Sequence, residues 1–302
     1  MQSNPSLSQE ARAFLETVPE PRPRRTSKDL HVRRKQLSQR GKANATRMIE
    51  TTGVSLCNTS IGGVPCLQVS PPTQSVDWSI LYGFGGGFVE GSALEDLPII
   101  ATLSEMTGAK VIAPCYRLAP EHPWPAASDD IFAVYHQLAR RPLAVVGESA
   151  GGNLALSVIL RARENGMMLP KAAALLSPWC DLSKTGTSFK TDERRDPTLN
   201  VQESTDAAAH YIGRNIAVDP RISPIYGAFS GDFPPCIITT GTRDLLLGQA
   251  TRLAARLRKN GTSVDLRVWD DMWHVFEWYD ELPEARRSLL EIATFLSRNM
   301  GA

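Results

Sequence analysis

Short apolar runs alternate with longer stretches of helical periodicity from about residue 54 onward. Helical spacing is found at residues 92–108, 126–140, 150–165, 248–260 and 283–299. Eight apolar runs between these stretches are bounded by glycine, proline or polar residues, as strands are: GVSLCNTS, VPCLQVS, WSILYG, KVIAPCY, LAVVG, AALLS, CIITTG and SVDLRVW. After an opening pair of strands, this alternation predicts an α/β fold with a mostly parallel central sheet flanked by helices on both faces.

Two regions lie outside this alternation, residues 1–50 and an insert at about 182–218. We expect them to form a helical cap over the carboxyl ends of the strands, with residues 51–302 as the catalytic domain. Residues 22–47 are strongly basic, and either a solvated face of amphipathic N-terminal helices or an anion-binding or targeting segment would explain this; we favour the solvated face. The basic residues include Arg24, Arg25, Arg33, Arg34, Lys35, Arg40, Lys42 and Arg47.

Composition narrows the class of protein without defining it. A formal net charge of +1 over 302 residues, with 42% hydrophobic residues, gives no global reason to expect nucleic acid or an anionic membrane as a partner. No apolar run has the length of a membrane span, and the N-terminus lacks the apolar core of a secretory signal, so we predict a cytoplasmic protein. The five scattered cysteines include no CxxC pair, which favours buried free thiols over disulfides or a zinc site.

The strongest local motif is LAVVGESAGGNLAL, in which an apolar strand leads into Gly147-Glu148-Ser149-Ala150-Gly151 and then directly into a helix. This is the G-x-S-x-G nucleophile elbow in the strand, turn and helix context that the motif requires. The flanking glycines allow a tight turn, and the helix N-terminus favours developing negative charge. A serine that only caps a helix would not need such neighbours. We therefore predict that Ser149 is a nucleophile, with Glu148 fixing the elbow by hydrogen bonding.

A serine nucleophile needs a base within reach and an acid to orient that base. Of the five histidines, His274 alone lies in a loop just past the last predicted strand. Asp244 follows the strand CIITTG, whereas Asp270 and Asp271 lie within four residues of His274 and would be cramped as its partner. We predict His274 as the base and Asp244 as the acid, with Asp271 as the alternative. The chain order serine, aspartate, histidine is that of α/β-hydrolases.

Three consecutive glycines in YGFGGGF leave the backbone exposed next to a predicted strand end. Attack on a carbonyl creates an oxyanion that requires preorganised N–H donors. We predict that Gly86 and Gly87, whose missing side chains allow a close approach, donate to the oxyanion together with Ala150, the residue after the nucleophile. A flexible glycine hinge is the alternative interpretation.

With these motifs, the sequence resembles the hormone-sensitive-lipase-like family of α/β-hydrolases, bacterial carboxylesterases with a glycine-rich oxyanion motif. The resemblance implies an α/β-hydrolase fold with a helical cap, no cofactor or metal, and hydrolysis of short- to medium-chain esters. The family usually has histidine before its three glycines, whereas this chain has Phe84. The resemblance extends from about residue 76 to the C-terminus through YGFGGGFVEGS, YRLAPEHPWPAASDD, GESAGGNLAL, SPWCDLS, DPRISPIYGAF, FPPCIITTGTRDLLL and MWHVFEWY.

We therefore predict a serine carboxylesterase that acts on small-molecule esters or lactones through an acyl-enzyme and that could form a homodimer. An amidase or peptidase could use the same triad. A non-catalytic receptor on the same fold is a further alternative, but the plant gibberellin receptors that resemble this family lack its histidine base, and His274 is present here. The substrate-binding candidates are Phe84, Phe88 and Trp273, and packing or pocket roles are both open for the other aromatic residues Trp179, Phe189, Tyr211 and Phe276.

Overall fold

A computed structural model of the chain describes residues 7–18, 30–183 and 195–301. The strands, in chain order, are β1 (Ser55–Ile61), β2 (Val64–Ser70), β3 (Ser79–Gly83), β4 (Lys110–Pro114), β5 (Leu143–Glu148), β6 (Ala172–Leu176), β7 (Cys236–Gly241) and β8 (Val264–Trp269). They form one sheet in the order β1-β2-β4-β3-β5-β6-β7-β8. Strands β1, β2 and β4 pair antiparallel, and the pairs from β4 through β8 are parallel. The predicted mostly parallel sheet is confirmed.

Helices surround the sheet and cover its central strands. In chain order they are α1 (Gln9–Thr17), α2 (Leu30–Thr52), α3 (Leu97–Thr107), α4 (Ala126–Leu138), α5 (Ala150–Glu164), α6 (Val201–Ile212), α7 (Leu247–Lys259) and α8 (Pro283–Met300). Helix α3 contacts both α2 and α8, and α4 packs against α5. The predicted helix at 92–108 begins only at Leu97, because Pro98 occupies its first turn and residues 92–96 form a turn.

The core follows from the apolar runs of the central strands. Every residue of β5, β6 and β7 is buried, as expected for parallel strands with both faces covered. The edge strand β8 is only partly buried. Because parallel strands share a direction, the carboxyl ends of β3, β5, β7 and β8 meet at one edge of the sheet, and the loops that carry the predicted site residues follow these four ends.

The two N-terminal helices pack on the rest of the molecule. Ser8 caps α1 and donates both its N–H and its hydroxyl to the carboxylate of Glu284 on α8. On α2, the side chains of Arg33 and Arg34 are half-buried in specific contacts. The predicted solvated basic face is therefore wrong for this pair, and Arg24 and Arg25 lie outside the described residues.

The structure also bears on the expectations for the cysteines and for a membrane span. All five cysteines are free, but Cys57 and Cys115 are exposed, which corrects the expectation that the thiols are buried. Among the described helices, none combines the length and apolar character needed to cross a membrane.

Candidate active site

The nucleophile elbow is formed by an unusual backbone conformation at Ser149. This residue has φ 51° and ψ −116°, a backbone conformation that residues other than glycine rarely adopt. The surrounding structure holds it there, because its N–H donates to the carbonyl of Leu176 at 2.9 Å and its carbonyl accepts from the N–H of Trp179 at 2.9 Å. The side chain of Ser149 therefore projects from a sharp turn between β5 and α5.

Small residues around Ser149 allow three backbone segments to pack in direct contact. A Cβ placed on Gly147 would overlap the carbonyl oxygen of Gly151, and a Cβ on Gly151 would overlap the carbonyl oxygen of Gly83 on the neighbouring strand β3. On Gly152 it would lie 2.9 Å from Cβ of Pro178. The motif's glycines are therefore required by backbone packing.

The structure brings Ser149, His274 and Asp244 together in one hydrogen-bond chain. Nε2 of His274 lies 2.9 Å from Oγ of Ser149, and Nδ1 of the same ring lies 3.0 Å from Oδ1 of Asp244. Asp244 is fully buried, and its carboxylate also accepts from the hydroxyl of Thr240 and the N–H of Leu246, both at 2.8 Å. These contacts fix the carboxylate and thereby the orientation of the imidazole ring.

In this hydrogen-bond chain, Asp244 and His274 each favour the charged form of the other. Burial by itself opposes ionisation of Asp244, but the His274 ring beside it and several hydrogen bonds lower the pKa of this carboxyl below its usual value. Burial also disfavours a charged His274, yet the Asp244 carboxylate outweighs it and raises the pKa of the imidazole. Such a ring can accept a proton from a hydroxyl and hold the resulting positive charge.

The alternative acid, Asp271, contacts Arg243 and Thr242 and has no contact with His274 among its hydrogen bonds and ion pairs in the described residues. The carboxylate of Asp271 forms an ion pair with Arg243 at 3.0 Å, and the backbone N–H of Asp271 donates to the hydroxyl of Thr242 at 2.8 Å. The same Thr242 hydroxyl donates to the carboxylate of Asp270 at 3.3 Å. The contacts at His274 therefore favour Asp244 over both residues.

The segment after β3, residues 84–91, is called here the oxyanion loop. Gly86 and Gly87 have φ of 91° and 63°, and the carbonyl of Gly86 accepts the N–H groups of Val89 and Glu90 in a tight turn. Within the part of the chain that the structure describes, the N–H groups of Gly86 and Gly87 donate to no protein acceptor. Ala150, the first residue of α5, has no intrahelical acceptor for its N–H.

Phe84 anchors the start of the oxyanion loop. Its ring stacks on Tyr116 with centroids 4.0 Å apart, and the Tyr116 hydroxyl donates to the carbonyls of Phe84 at 2.7 Å and Gly85 at 3.3 Å. The sequence reasoning missed Tyr116 as a partner of this loop, although it begins the distinctive run YRLAPEHPWPA.

A cavity of about 260 Å³ opens beside Ser149 and His274. Its walls include Gly86 and Gly87 as well as residues of α2 and α6. Among the aromatic candidates, Trp179 lines it. Further aromatic side chains in the wall, Trp278 and Tyr279, come from the loop after β8 and were not predicted from the sequence.

The three proposed substrate-binding aromatic residues are placed differently from the expectation. Phe84 and Phe88 are buried, and Phe88 stacks on Tyr211 with centroids 3.7 Å apart. Trp273 is buried against α1, where it stacks on Phe14 at 4.3 Å. None of the three is among the described residues that line the cavity, because packing against neighbouring rings takes up their surfaces. Phe276 is also buried, and Phe189 lies outside the described residues.

A buried pair of carboxyl groups lies beneath the elbow and was missed as a pair. Burial, together with the adjacent Asp96, raises the pKa of Glu148 well above its usual range. Burial likewise raises the pKa of Asp96 to about 7, although the Tyr82 hydroxyl, which donates to it at 2.9 Å, opposes this. A Cβ on Gly85 would overlap the Glu148 carboxyl, so the elbow and the oxyanion loop meet here.

Asp196, from the predicted cap insert, is a further residue that sequence reasoning missed. One of its carboxylate oxygens accepts the N–H of Leu245 at 2.9 Å, and the other accepts the N–H of Thr198 at 2.8 Å. Its carboxylate lies near the Asp244 carboxylate and the His274 ring, with one polar side-chain atom of each of the three residues within 4.8 Å of the others. Both nitrogens of His274 already contact Ser149 and Asp244, which leaves no ring nitrogen for a metal ion.

Comparisons with known proteins agree with this architecture. A family model described as alpha/beta hydrolase fold matches residues 80–278. The chain is 33% identical over 236 residues to an acetyl-hydrolase from Streptomyces hygroscopicus, which covers 76% of this chain and 79% of that protein. It is 31% identical over 223 residues to an esterase from Acinetobacter venetianus, with 72% and 73% covered.

Solved structures show the same fold over nearly the whole chain. An esterase from the bacterial hormone-sensitive lipase family superposes with a TM-score of 0.87 at 31% identity and covers 100% of both chains. An esterase called E25 superposes with a TM-score of 0.89 at 29% identity and covers 99% of this chain and 96% of its own.

Proposed function

Because this chain belongs to the hormone-sensitive-lipase-like family of alpha/beta hydrolases and is a carboxylic ester hydrolase, we propose that it works as a serine esterase through an acyl-enzyme intermediate. The observation that carries this proposal is the unbroken hydrogen-bond chain from Ser149 through His274 to Asp244 beside a cavity. A non-catalytic receptor on the same fold would have no use for a base held in this contact.

In the proposed first step, Oγ of Ser149 attacks the ester carbonyl carbon while Nε2 of His274 takes the hydroxyl proton. The buried carboxylate of Asp244 holds the ring in the tautomer that accepts this proton and stabilises the imidazolium that forms. When the tetrahedral intermediate collapses, the leaving alcohol takes the proton from Nε2. Water then attacks the acyl-enzyme by the same route, with His274 again as base and then as acid.

The oxyanion of each tetrahedral intermediate is proposed to accept the N–H groups of Gly86, Gly87 and Ala150. Support comes from the absence of a protein acceptor for the two glycine N–H groups among the described residues and from the position of both glycines in the cavity wall beside Ser149. Each such donor contributes about 3 kcal/mol to lowering the barrier. No metal or cofactor enters the proposed reaction.

The size of the cavity points to the short end of the predicted range of esters. A volume of about 260 Å³ lies just below the usual range of about 300 to 1,000 Å³ for small-molecule sites. Gly87 in its wall faces Ala207 of α6, since a Cβ on Gly87 would lie 3.2 Å from Cβ of Ala207. We propose that short acyl groups, and lactones of similar size, fit this space.

Further parts of the proposal concern organisation. The N-terminal helices and the segment around α6 are proposed to act as a cap, because the cavity is lined by Arg33 and Leu37 of α2 and by Thr198, Leu199, Glu203, Ser204 and Ala207. Among the described residues, β8 lies at one edge of the sheet, where a second copy of the chain could pair with it, and this supports the proposed homodimer. Light scattering on the purified protein would test the dimer, and cell fractionation would test the cytoplasmic location.

The first experiment combines a fluorophosphonate probe with a hydrolysis screen. The probe should label Ser149 covalently, and p-nitrophenyl esters of graded chain length should be hydrolysed fastest at short acyl lengths. The variant Ser149→Ala should lose labelling and hydrolysis together. Undiminished hydrolysis by this variant would overturn the proposed mechanism, and a maximum at long chains would overturn the proposed substrate class.

A matched pair of variants tests the acid. We expect Asp244→Asn to lower kcat by about 10⁴-fold, because the asparagine amide would favour the wrong tautomer of His274. Asp271→Asn removes a carboxylate of similar position that is paired with Arg243 instead, and it should leave kcat within a few-fold of the parent. The reverse ranking would reassign the acid.

A further inference from the structure

The basic run at the start of α2 reaches the oxyanion loop. We propose that Arg34 is a positioning residue that fixes the oxyanion loop through its carbonyl groups, an inference that rests on the proposed function. Arg34 is half-buried and does not line the cavity, so any effect on the reaction must pass through the loop.

The guanidinium of Arg34 joins two loops. Its Nε donates to the carbonyl of Val89 in the oxyanion loop at 2.7 Å, and its Nη2 donates to the carbonyl of Ala119 at 2.7 Å. On the outer side the same group pairs with Glu121, at 2.9 Å through Nη1 and 3.0 Å through Nη2. Arg34 thus links backbone groups of two segments that the sequence separates by 30 residues.

These two segments are also in direct contact. The N–H of Ala119 donates to the carbonyl of Phe88 at 2.9 Å, next to the carbonyl of Val89 that Arg34 holds. The carbonyls of Phe88 and Val89 therefore both have fixed donors. Their positions determine the turn that begins at Gly86, because the N–H of Val89 donates to the Gly86 carbonyl at 3.1 Å.

The turn that Arg34 restrains carries the proposed oxyanion donors. Gly86 and Gly87 both have positive φ, a conformation that glycine leaves readily because it has no Cβ to restrict it. Two N–H groups must nevertheless point into the cavity for the reaction. Contacts from outside the loop must supply the rigidity that the glycines lack, and Arg34 supplies one at Val89.

Arginine suits this place better than lysine. Its planar fork presents donors in fixed directions, so that one group can bond two carbonyls and a carboxylate at once. The neighbouring Arg33 reaches the same loop differently, since its Nε donates to the carboxylate of Glu90 at 2.8 Å and its side chain lines the cavity. Substitution of Arg34 therefore tests the loop without removing a group from the cavity wall.

The experiment measures kcat and KM for a short p-nitrophenyl ester, and the affinity for a trifluoromethyl ketone, which forms an oxyanion on the nucleophile. We expect Arg34→Gln to lower kcat by about 10- to 100-fold with KM changed less than about threefold, because a small displacement of the donors acts on the transition state. The ketone should bind more weakly by the same factor as kcat falls. Arg34→Lys, which keeps the charge but not the fork, should show a smaller loss in both.

The matched control is Glu121→Gln. It removes the ion pair of Arg34 but leaves both carbonyl contacts, and we expect kcat and ketone affinity within about twofold of the parent. Melting curves and circular dichroism establish which variants are folded. Full kcat in a folded Arg34→Gln or Arg34→Lys, or an equal loss in Glu121→Gln, would overturn the proposal. Activity retained by Ser149→Ala, measured in parallel, would instead overturn the proposed function.

Discussion

The nucleophile elbow and the oxyanion loop follow neighbouring strands, β5 and β3, and yet they are held by different means. At the elbow, backbone packs on backbone, since Gly147 and Gly151 allow contacts that a single Cβ would block. The oxyanion loop combines its own backbone turn with support from side chains of distant segments, among them the hydroxyl of Tyr116 and the guanidinium of Arg34.

This difference separates two ways of building a rigid site. Backbone packing needs only small residues at fixed spacing, so the elbow is specified within a few residues of Ser149 and by the adjacent strand. The loop depends on side chains that the fold must deliver from elsewhere, so its partners can be exchanged one at a time. We therefore expect substitutions at the elbow to act nearly all-or-none and those around the loop to act in grades.

Among substitutions that test this comparison of the two regions, the largest effect is expected from Gly151→Ala. The new Cβ would overlap the carbonyl oxygen of Gly83 and lie 2.5 Å from that of Phe84, and neither backbone can move without disturbing β3. We expect a loss of about 3 kcal/mol in the free energy of unfolding and a kcat reduced by more than about 10³-fold. Urea unfolding and steady-state kinetics measure the two effects.

The control for this substitution is Gly231→Ala, at an exposed glycine whose nearest neighbour to a new Cβ would be an oxygen of Asn260 at 3.8 Å. It should change neither quantity measurably. A stable and active Gly151→Ala would show that the elbow tolerates adjustment and that the contrast between the two regions is wrong.

The second prediction separates the two glycines of the oxyanion loop. Gly86→Ala places a Cβ against the carbonyl of Glu90 at a φ of 91°, and we expect kcat to fall by a hundredfold or more. A new Cβ in Gly87→Ala would lie 3.2 Å from Ala207 and at ordinary contact distance from Trp179, at 3.8 Å, and Val89, at 3.9 Å, so its loss should be smaller, and Ala207→Gly should restore part of it. Equal losses without restoration would contradict this ranking.

The third prediction concerns Glu148, where the two regions meet. Its folded-state pKa is raised by burial and by Asp96, so its contribution to stability is fully present below the unfolded pKa of about 4.3 and is lost as pH rises toward the folded value. The melting temperature of the parent should therefore fall between pH 5 and pH 8. In Glu148→Gln this decline should be smaller, and an equally steep decline would show that Glu148 is not its source.

The smallest effects are expected from the stacked pair of Phe84 and Tyr116 at the start of the oxyanion loop. Tyr116→Phe removes the hydroxyl that donates to the carbonyls of Phe84 and Gly85, an interaction of about 1 kcal/mol, and should lower kcat by roughly fivefold. Phe84→His keeps a ring that can stack on Tyr116 and should leave kcat within roughly threefold. A larger loss in Phe84→His than in Tyr116→Phe would mean that the ring of Phe84 does more than pack.

Much of the fold could be predicted from the sequence, because the signals are local. The eight strands and the helix after Ser149 follow from apolar runs and their breaks, and the comparisons confirm the hydrolase fold. The start of α3 was misplaced because the turn at 92–96 contains polar residues that also fit a helix. The three aromatic residues expected at the pocket, Phe84, Phe88 and Trp273, pack on neighbouring rings, since sequence alone does not tell a ring that packs on a neighbour from one that faces a cavity, as Phe88 and Trp179 show.

The sequence by itself determined the order of the strands along the chain, the elbow around Ser149 and the loops in which His274 and Asp244 lie, because each depends on residues close together in the chain. Only the tertiary structure decided which side chains support these loops. Tyr116, Arg34 and Asp196 reach their partners across 32, 55 and 49 residues, and no local pattern records such contacts. They exist because parallel strands bring distant loops to one edge of the sheet, where a polar side chain must find a partner once water is excluded.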